Sequence, residues 1–214
     1  MATQKQGIRY TIVRLLAFVA LITGIFVAQH MERTPKIDPE KFHGTWLQAP
    51  RTIESFALDS TEGKTFTNED LKGQWTLMFF GFTSCGYLCP TTMAELGKTY
   101  RLLESKGVKP LPKVVMVSID SERDDLDKMS SYVHAFDRHF HGARGEAHVV
   151  EQMAKEMGIV YTRVAAPVTK ESKNYDIQHS GAIIVFNPNG ELNAFFTTPH
   201  KAENLAADYR SIVG

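Results

Sequence analysis

Cys85 and Cys89 are the only cysteines among 214 residues, and they lie four positions apart just after the apolar run Trp75 to Phe82. Thiolates attack disulfides and bind soft metal ions, and a helix N-terminus favours the thiolate form. Such a terminus is predicted here. The small-residue turn Thr83-Ser84 precedes the pair, Pro90 suits a first helical turn, and Met93, Leu96, Tyr100 and Leu103 recur on one helical face. A buried strand therefore delivers both thiols to a strand-to-helix turn. Three chemistries are open to them: a local structural disulfide, a redox pair, or two ligands of a metal site. A bridge closing so short a loop adds little stability, because the loop-closure contribution grows with loop length. A structural zinc site would need two further ligands, and no His-x-x-x-His pair supplies them. His134, His139 and His141 read as a solvated helix end and loop, and His148 and His200 as polar positions near helix starts. His179 stands apart. It follows the polar stretch Lys170 to Gln178 and precedes the strand pattern Ala182 to Phe186, so it can fold back over the thiols.

The elements that must position these residues follow from periodicity. Phe56 to Leu58 and Lys64 to Phe66, separated by Asp59 to Gly63, form a predicted hairpin, and Asn68 starts a brief helical turn. The run VVMVSI (Val114 to Ile119) is apolar on both faces, as a strand covered by helices on two sides would be. Helical spacing recurs in Leu126, Met129, Val133 and Phe136, then in Val150, Met153 and Met157, where Gly158 supplies the stop. Ile159 to Val164 is a further strand. Ala182 to Phe186 and Glu191 to Phe196 flank Asn187-Pro-Asn-Gly190, a hairpin turn, and Leu205, Tyr209 and Ile212 mark a closing helix. Strands alternating with helices and ending in a hairpin predict an α/β fold with a mixed sheet.

The whole chain limits the function class. Its 24 basic and 24 acidic side chains cancel, so no field favours nucleic acid. Residues 1–31 carry Lys5, Arg9 and Arg14 ahead of fourteen uncharged residues, LLAFVALITGIFVA, and the span from Tyr10 to Ala28 holds one arginine in nineteen residues. That pattern predicts an uncleaved signal-anchor with its N-terminus in the cytoplasm. Residues 32–52, with Pro35, Pro39 and Pro50, read as a tether, and 53–214 as the folded domain. The domain would then face an oxidising compartment, where two thiols can form a disulfide.

Three stretches, GFTSCGYLCP (Gly81 to Pro90), VSIDSERD (Val117 to Asp124) and QHSGAIIVFNPNGEL (Gln178 to Leu192), together resemble the motifs of the Sco/SenC family. The resemblance spans about Ile53 to Val213 and includes the N-terminal anchor. It implies a thioredoxin-like fold related to the peroxiredoxins. It also implies copper bound through Cys85, Cys89 and His179, and delivery to the binuclear copper centre of cytochrome c oxidase. The expected partners are a copper-accepting oxidase subunit and a thiol reductant. The expected location is a bacterial inner membrane, crossed once, with the domain in the periplasm. Gly86 departs from the proline common after the first cysteine, and Ser84 from another polar or imidazole side chain. Two other readings use the same thiols: a thiol-disulfide oxidoreductase acting on a partner's copper-site cysteines, and a redox or copper sensor. A peroxidase is disfavoured because no proline lies just upstream of Cys85. Asp120 and Glu122 to Asp125 match the family's acidic loop, and most of them read as a solvated, capped helix start.

Overall fold

A computed structural model describes residues 13–24, 37–38, 40–165 and 175–214. The chain forms two units, Met1–Lys36 and Ile37–Gly214. In the first, residues 13–24 form helix α1, whose apolar side chains, Leu15, Leu16, Phe18 and Leu21 among them, are exposed. No helix among the described residues is long and apolar enough to cross a membrane. The rest of the expected anchor, 1–12 and 25–31, lies outside the described residues.

The second unit is a mixed α/β domain. Its strands are β1 (Thr45–Arg51), β2 (Ala57–Ser60), β3 (Thr65–Thr67), β4 (Thr76–Gly81), β5 (Lys113–Ser118), β6 (Phe140–Arg144), β7 (Tyr161–Ala165), β8 (Tyr175–His179), β9 (Ile183–Phe186) and β10 (Leu192–Phe196). Eight of them form one sheet in the order β1-β10-β9-β4-β5-β6-β2-β3, while β7 and β8 form a separate two-stranded sheet. Its helices are α2 (Leu88–Ser105), α3 (Leu126–His134), α4 (Ala147–Glu156) and α5 (Ala202–Val213). Every residue of β4 is buried, as its unbroken apolar run requires of a central strand. It pairs in parallel with β5 and antiparallel with β9. The predicted face of α2 (Met93, Leu96, Tyr100, Leu103) and that of α5 (Leu205, Tyr209, Ile212) are buried as well.

Three segments differ from the sequence expectation. The expected tether contains β1, which pairs with β10 and places Trp46 opposite Ala194. Its Pro50 masks the strand, but an edge strand tolerates a proline because one side of its backbone is unpaired. The Trp46 ring lies 6.3 Å from Trp75 and 5.7 Å from Phe42, centroid to centroid, so aromatic packing secures this edge. The segment around His139 and His141 is not a solvated loop: Phe140 begins β6, which runs parallel to β5. His139 stacks on Tyr100 at 5.2 Å and its Nδ1–H donates to the Asp137 carboxylate, 2.9 Å away. Five residues, FHGAR, are too few to display a period. Finally, Tyr175 to Gln178, read as a polar approach to His179, belongs to β8, which pairs with β7 so that His179 faces Tyr161.

Candidate metal centre

The site is built at the C-terminal end of β4. The strand stops at Gly81, and a Cβ there would sit 3.0 Å from the Cys89 sulfur and 2.6 Å from the Phe79 ring. Glycine is needed for that close approach. Cys85 lies in the following loop, half-buried, and Cys89 is fully buried in the first turn of α2. The N-cap residue, Tyr87, offers no side-chain hydrogen bond to the helix. The Cys85 sulfur does so instead, accepting the Cys89 N–H at 3.4 Å and meeting one of the unpaired donors every helix start leaves. Gly86 has open space where a Cβ would be, so nothing steric requires glycine there.

His179 reaches the thiols from the last residue of β8. Its Nε2 lies 3.3 Å from the Cys89 sulfur, and the donor atoms of Cys85, Cys89 and His179 all fall within 4.8 Å of one another. Among the described residues this is the one group of three metal-capable side chains so placed. The imidazole sits against Phe79 and Phe82, with both ring centroids 5.9 Å away. Its Nδ1 is buried and has no hydrogen-bond partner among the described residues, so packing, the strand and the Nε2 contact with the thiols hold the ring. The remaining histidines lie outside this group. His148 is exposed at the start of α4, as expected. His200 is not solvated: its Nε2 bonds the Gly181 carbonyl at 2.8 Å, and burial holds its pKa below the usual histidine value.

The two thiols are electrostatically unequal. A hydrogen bond from Cys89, helped by His179 and by the backbone N–H groups of Cys89 and Tyr87, outweighs burial and lowers the Cys85 pKa to about 3. Cys89 is pushed the other way, first by that same bond and then by burial. Cys85 is therefore the thiolate and Cys89 the proton holder. Iodoacetamide is expected to modify Cys85 alone, at a rate varying less than about threefold between pH 5 and 8, whereas an ordinary thiol slows about tenfold per unit below its pKa. A rate that climbs steeply through this range in a stopped-time mass spectrometric assay would contradict the assignment.

Sequence reasoning under-read the acidic loop after β5. Asp120 and Asp124 are fully buried rather than solvated. Asp124 accepts the Thr83 N–H at 3.1 Å, the Thr83 hydroxyl at 2.5 Å and the Ser118 hydroxyl at 2.7 Å, which fixes the loop that leads into Cys85. Asp120 receives the Tyr175 hydroxyl at 2.7 Å and pairs with Arg123. Only Asp125 behaves as the expected cap, accepting the Lys128 N–H at 2.7 Å. The available signal was an acidic pair four apart directly after a strand buried on both faces. Such carboxylates leave a strand inside the domain and need internal donors.

Comparison with known proteins bears on this arrangement. The profile of the SCO1/SenC family matches residues 45–214. The human protein SCO2 homolog, mitochondrial, is 30% identical over 207 residues, covering 97% of this chain and 76% of that protein. Among solved structures, Arabidopsis thaliana ScoI with copper bound is 25% identical with a TM-score of 0.66, covering 75% of this chain and 96% of its own. Bradyrhizobium japonicum ScoI with copper bound is 26% identical with a TM-score of 0.64, covering 74% and 98% respectively.

Proposed function

The chain belongs to the SCO1/SenC family, and on that premise we propose that it is a copper metallochaperone whose ligands are Cys85, Cys89 and His179. The observation that carries this reading is the convergence of the three donor atoms within 4.8 Å. Two sulfurs and one imidazole suit Cu(I), because soft thiolates select it over hard ions and imidazole accepts copper in both oxidation states. Copper is cargo here, so the site must release as well as bind. Buried Cys89 shields one side of the ion, while half-exposed Cys85 leaves a side from which an acceptor's ligands can displace it. Metal binding displaces the proton that Cys89 holds, so affinity rises with pH.

The acceptor in this reading is a copper-binding oxidase subunit, and the loaded site forms after a thiol reductant opens the Cys85–Cys89 disulfide. Residues 1–31 anchor the chain in a bacterial inner membrane, with the domain in the periplasm. Because β1 belongs to the sheet and the folded unit begins at Ile37, the connecting tether shortens to 32–36. The test is an anaerobic Cu(I) titration of the reduced chain against a chromogenic chelator. One tight equivalent, weakened about tenfold or more in His179→Ala, is expected, taking the 10–100-fold range of outer-shell losses as a lower bound for a ligand. A reduced chain that leaves all copper with the chelator would sink the reading.

The inequality of the two thiols favours a second reading, a thiol-disulfide oxidoreductase. The Cys85 thiolate would attack a partner's disulfide and release one partner thiolate. Cys89, losing its proton, would then attack the mixed disulfide, freeing the reduced partner and leaving a Cys85–Cys89 disulfide for a thiol reductant to reopen. This route has no need of His179 as a metal ligand. Full redox activity in His179→Ala, with no tight copper site in the native chain, would select it.

A further inference from the structure

We propose that the turn Asp120 to Asp124 sets the spacing of the metal centre by gripping both of its halves, and that Tyr175 is the positioning residue through which it holds His179. The inference rests on reading Cys85, Cys89 and His179 as the copper ligands. His179 is carried by β8, which pairs with β7 in a sheet of its own rather than with the main sheet. Its Nδ1 has no hydrogen-bond partner among the described residues. No main-sheet ladder sets where the imidazole stands, and apart from Nε2 at the thiols themselves no hydrogen bond among the described residues holds the ring. The attachment of the two-stranded arm has to do so.

That attachment centres on Tyr175, beside a half-exposed ion pair from Arg163 of β7 to Glu122 of the turn at 2.7 Å. Tyr175 lies four positions before His179 on the same face of β8, together with buried Ile177. Its hydroxyl donates to Asp120 at 2.7 Å, and its carbonyl accepts from the Arg123 guanidinium at 3.0 Å. The same guanidinium lies 4.0 Å from the centre of the Tyr175 ring, and Arg163 lies 4.8 Å from it. The other carboxylate oxygen of Asp120 is taken by Arg123, so both oxygens of this fully buried group are committed.

The far side of the turn grips the cysteine loop. Asp124 binds the N–H and hydroxyl of Thr83, two residues before Cys85. Arg123 also lies 5.5 Å from the centre of Phe82, one of the two rings that flank His179. The parallel pairing of β4 with β5 makes this possible, because it sets Gly81 opposite Ser118 and so starts the two loops side by side. One five-residue turn thus fixes thiols and imidazole relative to each other. Ligand groups must be held to within about 0.5 Å for productive geometry, and Tyr175 acts on the imidazole across four strand residues, about 13 Å.

The experiment uses the full chain and the variant Tyr175→Phe, which keeps the ring between the arginines and removes only the hydroxyl. In the reduced, copper-free protein, amide exchange at Asp176 and Gln178, whose N–H groups the register turns toward β7, is expected to accelerate about fivefold, the value of one lost hydrogen bond. Cu(I) affinity is expected to fall about tenfold, within the range for outer-shell partners. The double variant with His179→Ala is expected to bind no more weakly than His179→Ala alone, because Tyr175 acts through the imidazole. Additive losses in the double variant, or unchanged exchange and affinity in Tyr175→Phe, would overturn the proposal. A native chain without Cu(I) affinity would overturn the copper reading instead, and the exchange rates would still decide whether Tyr175 holds the arm.

Discussion

Cys85→Ser is expected to lower Cu(I) affinity by more than about a hundredfold, beyond the 10–100-fold cost of losing an outer-shell partner. The substitution replaces a soft thiolate by a neutral hydroxyl, which is a poor Cu(I) donor. It also changes the residue that bears the site's negative charge, since Cys85 is held ionised and Cys89 protonated. What remains is one buried thiol and an imidazole 3.3 Å away, enough for a linear site but without the exposed ligand from which transfer begins. Helix α2 should survive, because a serine oxygen can still accept the Cys89 N–H that the sulfur now accepts. Far-ultraviolet circular dichroism is therefore expected to stay unchanged while the chelator competition collapses. Retained sub-stoichiometric loss of less than tenfold would mean that Cys85 is not a ligand.

The largest stability effect is expected at Asp124, a residue that makes no contact with the metal in this reading. Removing its carboxylate in Asp124→Ala strands the Thr83 N–H, the Thr83 hydroxyl and the Ser118 hydroxyl inside the domain. Each unsatisfied buried donor costs about 1–3 kcal/mol. Thr83 is only partly buried, so its two donors fall at the low end of that range and, with the fully buried Ser118 hydroxyl, a loss of about 3–5 kcal/mol is expected. For a domain of this size that corresponds to a fall in Tm of about 6–20 °C, at about 2–4 °C per kcal/mol. Asp124→Asn keeps the shape and one acceptor oxygen, and should recover about half of the loss. A thermal melt of Asp124→Ala within a few degrees of the native chain would show that the bracket is not structural.

The elements around the thiols were legible because their signals are local. An eight-residue apolar run, a turn of small residues and a helical stripe lie consecutively in the chain, and strand, turn and helix form in that order. The NPNG turn was equally local, and β9 and β10 flank it as an antiparallel pair with one irregularity between Leu192 and Ala194. β1 and β6 were not legible. The first is short of apolar residues because it is an edge, and the second spans five residues whose burial depends on neighbours brought in from β5 and β2.

Sequence by itself thus determined that two thiols arrive together at a helix N-terminus, and, through three ordered motifs, which histidine to suspect. Only the tertiary structure decided that His179, ninety residues from Cys89, lies 3.3 Å from it. It also decided that Asp120 and Asp124 are buried brackets rather than a solvated helix start. The physical reason is that these contacts have no local period. They arise from the parallel pairing of β4 with β5 and the antiparallel pairing of β7 with β8. The first of these closes a long connection, and the side chains that meet are set by register, which no stretch of chain expresses on its own.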